Sequence, residues 1–311
     1  MIAYLFPGQG SQHPGMLRDL PDENAVHDTL DVVSEVLGRD VREFDTSDSL
    51  TDTVAAQVAL FTVGVALARL VSEKTGITPD IVAGHSIGAF PAAVSAGVLT
   101  VEEGLSAVLV RSTGMRDLYP SGFGLIALLG ARMANVEKLV ADVRGDHDLY
   151  VAMENAEDQI VLAGSDGAFE RVDAAAARFG IREVRRLDVA VPSHCALMTP
   201  VAEAVAANLE GVPPRKPTIR YLSAMTARSA RTGADVLADL SGGVAHMVRW
   251  RDTTDLLAEL DPSAVVQISP GHATAALFAS AHPALVTMAL DDASLSDSLI
   301  RLSRVVNTQT T

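Results

Sequence analysis

Residues 1–6 form an uninterrupted apolar run that stops at Pro7-Gly8-Gln9-Gly10-Ser11-Gln12. A short apolar run closed by turn residues predicts a buried strand. The pattern changes over 24–38, where apolar positions recur at helical spacing, and again at 53–73, an Ala- and Val-rich stretch that predicts a long buried helix. Residues 80–83 predict a second buried strand, followed at once by helices over 87–97 and 101–118. Pro91 falls in the first turn of the former, where a missing N–H does no harm. Strands that are apolar on both faces, alternating with helices, predict a parallel sheet covered on both sides.

The periodicity shifts after Ser121-Gly122-Phe123-Gly124. Strand 125–129, helix 132–144, strands 149–153 and 159–163, helix 167–179 and strand 181–189 follow in turn, with a hairpin around Glu154-Asn155-Ala156. This strand-helix-strand-strand-helix-strand order predicts a small ferredoxin-like α+β subdomain over 123–189, inserted into a large α/β domain made of 1–122 and 190–311. The large domain resumes with helix 196–209, a Pro-rich loop at 211–217 and strand 218–223. Helices 234–241 and 253–260, strand 264–268 and a turn at Ser269-Pro270-Gly271 complete it, and 305–311 reads as a polar, frayed end.

Chemistry enters at Gly84-His85-Ser86-Ile87-Gly88, between strand 80–83 and the helix after it. G-x-S-x-G at a strand-to-helix turn is the form of a nucleophile elbow, which holds a serine oxygen above the sheet edge. The following helix N-terminus favours developing negative charge, and the Ile87 amide is a candidate oxyanion donor. Ser86 then needs a base. His85 is adjacent in sequence, but neighbours at a tight turn point apart, so packing the elbow suits it better. His194 follows Val191-Pro192-Ser193 at a strand-to-helix junction, while His246 and His272 are the other candidates. Asp188 is the nearest acid to His194 in sequence and a candidate for orienting it. Arg111 sits among Leu105, Val108, Leu109 and Val110, where a guanidinium needs an anion, and its planar fork suits a carboxylate.

Composition narrows the classes. Hydrophobic residues make up 48% of 311, enough for a large core, with only 4% aromatic. A single cysteine, Cys195, excludes a disulfide framework and suggests a reducing compartment. The N-terminus lacks the basic region of a signal peptide, and no apolar run is read as reaching the ~20 residues of a membrane span, so a cytoplasmic location is expected. A net charge of −15 argues against nucleic acid and anionic membranes as partners. Local basic patches are possible at Arg182, Arg185 and Arg186, or at Arg215, Lys216, Arg220, Arg228 and Arg231, unless these are scattered solvated charges.

Taken in order, F-P-G-Q-G-S-Q at 6–12, G-H-S-I-G at 84–88, Arg111, P-S-H at 192–194 and I-S-P-G at 268–271 resemble the malonyl-CoA:acyl-carrier-protein transacylase family over nearly the whole chain. The resemblance implies an α/β-hydrolase-like domain with a ferredoxin-like insert. It implies Ser86 as the acylated nucleophile, His194 as base and acid, and Gln9 with the Ile87 amide as the oxyanion hole. Arg111 becomes the clamp on a malonyl carboxylate. The family orients its histidine with a main-chain carbonyl, matched here to Arg249, which leaves Asp188 without that task. His85 and Ser193 line the acyl pocket. Ser193 stands where malonyl-selective relatives often carry Phe, which weakens exclusion of a branched acyl group.

G-H-S-I-G-A-F with P-S-H-C is most similar to the transacylase (epsilon) subunit of malonate decarboxylase. The implied reaction moves malonyl from coenzyme A to the thiol of a carrier protein, with no bound cofactor or metal. Other malonate decarboxylase subunits are possible partners. A fatty-acid or polyketide transacylase is the alternative within the family, and a serine thioesterase or esterase the alternative from another class.

Overall fold

A computed structural model describes residues 1–146 and 148–307. The first half runs β1 (Ile2–Phe6), α1 (Asn24–Leu37), α2 (Thr53–Thr75), β2 (Ile81–Gly84), α3 (Ala89–Ser95) and α4 (Val101–Leu118). Next come β3 (Phe123–Leu129), α5 (Met133–Val143), β4 (Leu149–Ala156), β5 (Gln159–Ser165), α6 (Asp166–Ala175) and β6 (Glu183–Arg186). The last part holds α7 (Thr199–Leu209), β7 (Arg220–Ser223), β8 (Arg228–Ser229), α8 (Gly233–Gly242), α9 (Trp250–Glu259), β9 (Ala264–Gln267), α10 (Ala273–Ala281), β10 (Thr287–Ala289) and α11 (Leu295–Asn307). Residues 308–311 of the expected polar end lie outside the described residues.

The larger sheet has the order β10-β9-β1-β2-β7-β8. Its strands pair in parallel except for β8, which is antiparallel to β7. Side chains of β1 alternate between two cores. Tyr4 and Phe6 face a large cluster with the helices α1 to α4, whereas Ala3 and Leu5 face a second one with Trp250, Phe278 and the smaller sheet. The smaller sheet, β4-β5-β3-β6, is antiparallel. Its alternate positions Leu125 and Ala127 join the second cluster, and Ile126 and Leu128 pack beneath α5 and α6 in a third. The smaller sheet is thus packed against the large one. Backbone bonds between Val248 and residues 152 and 154, both 2.9 Å, tie β4 to the segment between α8 and α9 of the large domain.

Three differences from the sequence reading have clear causes. Helix α2 has the length and composition of a membrane span, which the sequence reading missed, but 89% of its apolar window is buried inside the protein. It is a core helix, exposed only at Arg69, Glu73 and Lys74 towards its C-terminal end. The strand expected over 181–189 is only Glu183–Arg186 and lies at a sheet edge, pairing with β3 alone. The basic clusters are partly neutralised: Arg185 pairs with Glu183, Arg186 with Asp166 and Arg215 with Glu103.

Candidate active site

The site sits where β1 and β2 end, at the carboxyl edge of the parallel sheet. The elbow between β2 and α3 is as tight as its glycines require. A Cβ on Gly84 would lie 2.1 Å from Gly88 C, and one on Gly88 would lie 2.2 Å from Phe6 O. Ser86 between them has φ +55°, a left-handed conformation costly for a non-glycine residue. His194 is held at φ +64°, with its N–H donating to Val244 O at 2.7 Å. Two left-handed non-glycine residues 108 positions apart thus meet at one point: Ser86 Oγ and His194 Nε2 are 2.7 Å apart.

The imidazole's tautomer follows from its second contact. Nδ1 lies 2.7 Å from Gly243 O, and a carbonyl can only accept, so Nδ1 carries the proton and Nε2 is free to accept from Ser86. The orienting carbonyl therefore belongs to Gly243 and not to Arg249. Gly243 is the C-terminal cap of α8, where carbonyls have no intrahelical partner. The Arg249 carbonyl instead accepts the Thr253 N–H inside α9, and the Arg249 side chain pairs with Asp252 on the surface. Asp188 is exposed and plays no part in this contact. Of the other histidines, His246 turns its Nδ1 to Gly242 O at 2.8 Å and His272 pairs with Asp292 on the surface.

Arg111 reaches the same oxygen from α4, whose start is fixed by a Thr100–Glu103 capping box. Its Nη2 donates to Ser86 Oγ at 3.0 Å, and its Nη1 donates to Gln57 Oε1. Arg111 and His194 are each only 2% exposed. Burial lowers the Arg111 pKa to about 10, which leaves it a cation at neutral pH. Burial first, and then the Arg111 charge, push His194 down to about 3, so it is a neutral base in the resting enzyme. His85 packs edge-on against Trp250 with centroids 5.1 Å apart, and its Nε2 bonds Asn155 Oδ1 at 2.9 Å. Desolvation lowers its pKa as well.

A cleft of about 440 Å³ opens above Ser86 between the two sheets. Gln9, His85, Arg111 and Ser193 line it from the large sheet's side, and Leu125, Met153, Asn155 and Arg185 from the other. Among the described residues, no group of three or more His, Cys, Asp or Glu is placed to hold a metal ion. A half-buried serine bonded to a buried histidine, with a buried cation beside the nucleophile, is equipped for acyl transfer of an anionic group.

The comparisons with known proteins agree with this geometry. The acyl transferase domain model matches residues 3–290. The malonyl CoA-acyl carrier protein transacylase of Escherichia coli K12 is 30% identical, covering 97% of this chain and 99% of its own length. That of Haemophilus influenzae is 32% identical, covering 87% and 88%. The chain belongs to the acyl transferase family, with the malonyl-CoA:acyl-carrier-protein transacylases. Among solved structures of that family, the transacylase of Xanthomonas oryzae pv. oryzae superposes with a TM-score of 0.91 at 31% identity, covering 96% of this chain and 98% of its own. A malonyl-transacylase in complex with a type II polyketide acyl-carrier protein gives 0.90 at 30% identity, covering 96% and 97%.

Two members of this transacylase's site escaped the sequence reading. Gln57 was hidden in the apolar run of α2, although a lone amide in a fully buried helix face is itself a signal. Gly243 contributes only its backbone, which leaves no trace in residue type.

Proposed function

We propose that this chain carries a malonyl group from coenzyme A to a carrier-protein thiol through a malonyl-Ser86 ester. The observation that carries the reading is Ser86 Oγ, held between His194 Nε2 at 2.7 Å and Arg111 Nη2 at 3.0 Å. Ser86 attacks the thioester carbonyl as His194 Nε2 takes its proton. The Ile87 amide and Gln9 receive the oxyanion, each contributing on the order of 10²–10³ in rate. The C–S bond breaks, the departing thiolate takes the proton from His194, and malonyl-Ser86 remains. Arg111 leaves Ser86 for the malonyl carboxylate. The carrier thiol then repeats the steps in reverse, with His194 again as base. These steps call for no metal or organic cofactor.

Residues 1–122 and 190–311 are proposed as the α/β-hydrolase-like catalytic domain and 123–189 as a ferredoxin-like insert. The proposed setting is the reducing cytoplasm. Gly84–Phe90 and Pro192–Cys195 support a malonate decarboxylase carrier, with the other subunits as partners. Full-length likeness to transacylases named for acyl carrier protein supports a fatty-acid or polyketide carrier. Parallel discharge onto phosphopantetheine and phosphoribosyl-dephospho-CoA carriers separates the two.

Intact-protein mass after brief mixing with malonyl-CoA, methylmalonyl-CoA and acetyl-CoA tests the whole reading. A malonyl adduct on Ser86, absent from Ser86→Ala and discharged by a carrier thiol, is expected. Rapid release of coenzyme A without an adduct or thiol transfer marks a thioesterase instead.

A further inference from the structure

The ring beside the nucleophile is held by three separate parts of the chain. His85 precedes Ser86 in the elbow, and its ring packs edge-on against Trp250, the first residue of α9, with centroids 5.1 Å apart. Its Nδ1 lies against the loop after β1, where a Cβ on Gly8 would come within 2.8 Å of it. Its Nε2 is 2.9 Å from Asn155 Oδ1, near the end of β4 in the smaller sheet. No step of acyl transfer calls on this imidazole.

The far end of the Asn155 contact is itself fixed. Glu154, next to it, donates its backbone N–H to Val248 O at 2.9 Å, and its carboxylate pairs with Arg251 of α9 at 3.2 Å. Asn155 is therefore anchored to the large domain through its neighbour and to the elbow through its side chain. An amide oxygen can only accept, so His85 Nε2 carries the proton. That is the opposite tautomer to His194, whose protonated nitrogen is Nδ1.

The consequence for Ser86 follows from the backbone. Ser86 sits at φ +55°, a conformation that persists only where its surroundings over-determine it. The residue before it supplies three restraints. The His85 N–H donates to Phe6 O at 2.9 Å, its carbonyl accepts from Gly88 N–H at 3.0 Å, and its ring is tied to Asn155. The first two bonds stay within the large sheet and the elbow. The third comes from the other side of the cleft and sets the direction of the ring, and with it the peptide that leads into Ser86.

We infer that Asn155 is a positioning residue for acyl transfer: its side-chain oxygen, carried by the smaller sheet, fixes the tautomer and direction of the His85 ring and so steadies the turn that presents Ser86. This rests on Ser86 as the nucleophile. It gives the smaller sheet a part in the chemical step beyond walling the cleft.

The test is single-turnover acylation by malonyl-CoA, followed over donor concentration, for Asn155→Ala, Asn155→Asp, His85→Phe and the His85→Phe/Asn155→Ala pair. Asn155→Ala is expected to slow acylation at saturating donor about 3- to 10-fold, the equivalent of one neutral hydrogen bond. The half-saturating donor concentration should stay unchanged, although Asn155 lines the cleft. Asn155→Asp keeps an acceptor at the same place and should restore the saturating rate. In the His85→Phe background Asn155→Ala should cost nothing further, because the ring nitrogen it acts through is gone. Imidazole nitrogen shifts by NMR give an independent reading: His85 should show a single Nε2–H tautomer in the wild type and a mixture in Asn155→Ala. Additive losses in the pair, a wild-type saturating rate in Asn155→Ala, or a loss confined to donor affinity overturns the inference and leaves the Ser86 mechanism standing. A tautomer unchanged by Asn155→Ala does the same. If the alanine variant does not fold, Asn155→Leu, similar in size and without an acceptor, takes its place. No adduct on wild-type Ser86 overturns the nucleophile assignment and the inference with it.

Discussion

At the residue scale, the buried cation governs both the nucleophile and its base. His194 is pushed down to about 3 by desolvation and by Arg111. The acid limb of kcat/KM, which reports the free enzyme, is therefore expected well below the ordinary histidine range of about 6.5. Arg111→Ala removes the second cause and leaves the first, so the limb should move upward. Acetyl-CoA, which has no carboxylate of its own to titrate, is the donor for that profile. The same variant should lose malonyl transfer by on the order of 10²-fold or more, as when one partner of a buried charge pair is truncated. Acetyl transfer should fall far less. Equal losses for the two donors would remove the clamp from the mechanism.

At the element scale, the site depends on how closely turns and helix ends approach one another. Gly88→Ala would set a methyl group 2.2 Å from Phe6 O, backbone that cannot swing away. It should lose ~1–3 kcal/mol or more of stability in urea unfolding. Helix α8, which delivers the Gly243 carbonyl to His194, is tied to β7 by a buried carboxylate: Asp239 accepts from Tyr221 Oη at 2.6 Å and from Ser223 Oγ. Asp239→Ala strands the Tyr221 hydroxyl in the core and should cost ~1–3 kcal/mol. The acylation rate should fall with it as the Gly243 carbonyl loses its fixed position. An unfolding midpoint unchanged from wild type would mean that α8 is held by packing alone.

At the scale of the whole molecule, a buried neutral histidine links folding to pH. The folded pKa of His194 is about 3 against an ordinary 6.5, so between these values the unfolded chain binds the extra proton. Stability on this account rises with pH through that window and is lost as pH falls below about 6.5. Desolvation of His85 acts in the same direction. The thermal midpoint should drop between about pH 7 and about pH 5, and His194→Asn should flatten that slope. A slope identical in the variant would mean that other groups account for the acid sensitivity.

Much of this molecule was legible in the chain of residues, because the features concerned are local. Apolar runs and turn residues marked the strands except β8 and β10 and the helices except α10 and α11, with α4 marked to the residue, since a Thr100 cap and its first apolar position lie next to each other. The glycines of the elbow and Pro-Ser-His carried Ser86 and His194, because a strained turn restricts residue type at fixed spacing. The pairing of Gly243 rather than Arg249 with His194 was decided only in three dimensions. A carbonyl belongs to every residue, and which one is free depends on where α8 ends and α9 begins. The same holds for the hydrogen bonds that run from Arg111 on α4 through Gln57 and Thr53 on α2 to Gln9 in the loop after β1, since residues so far apart in sequence meet only in the fold.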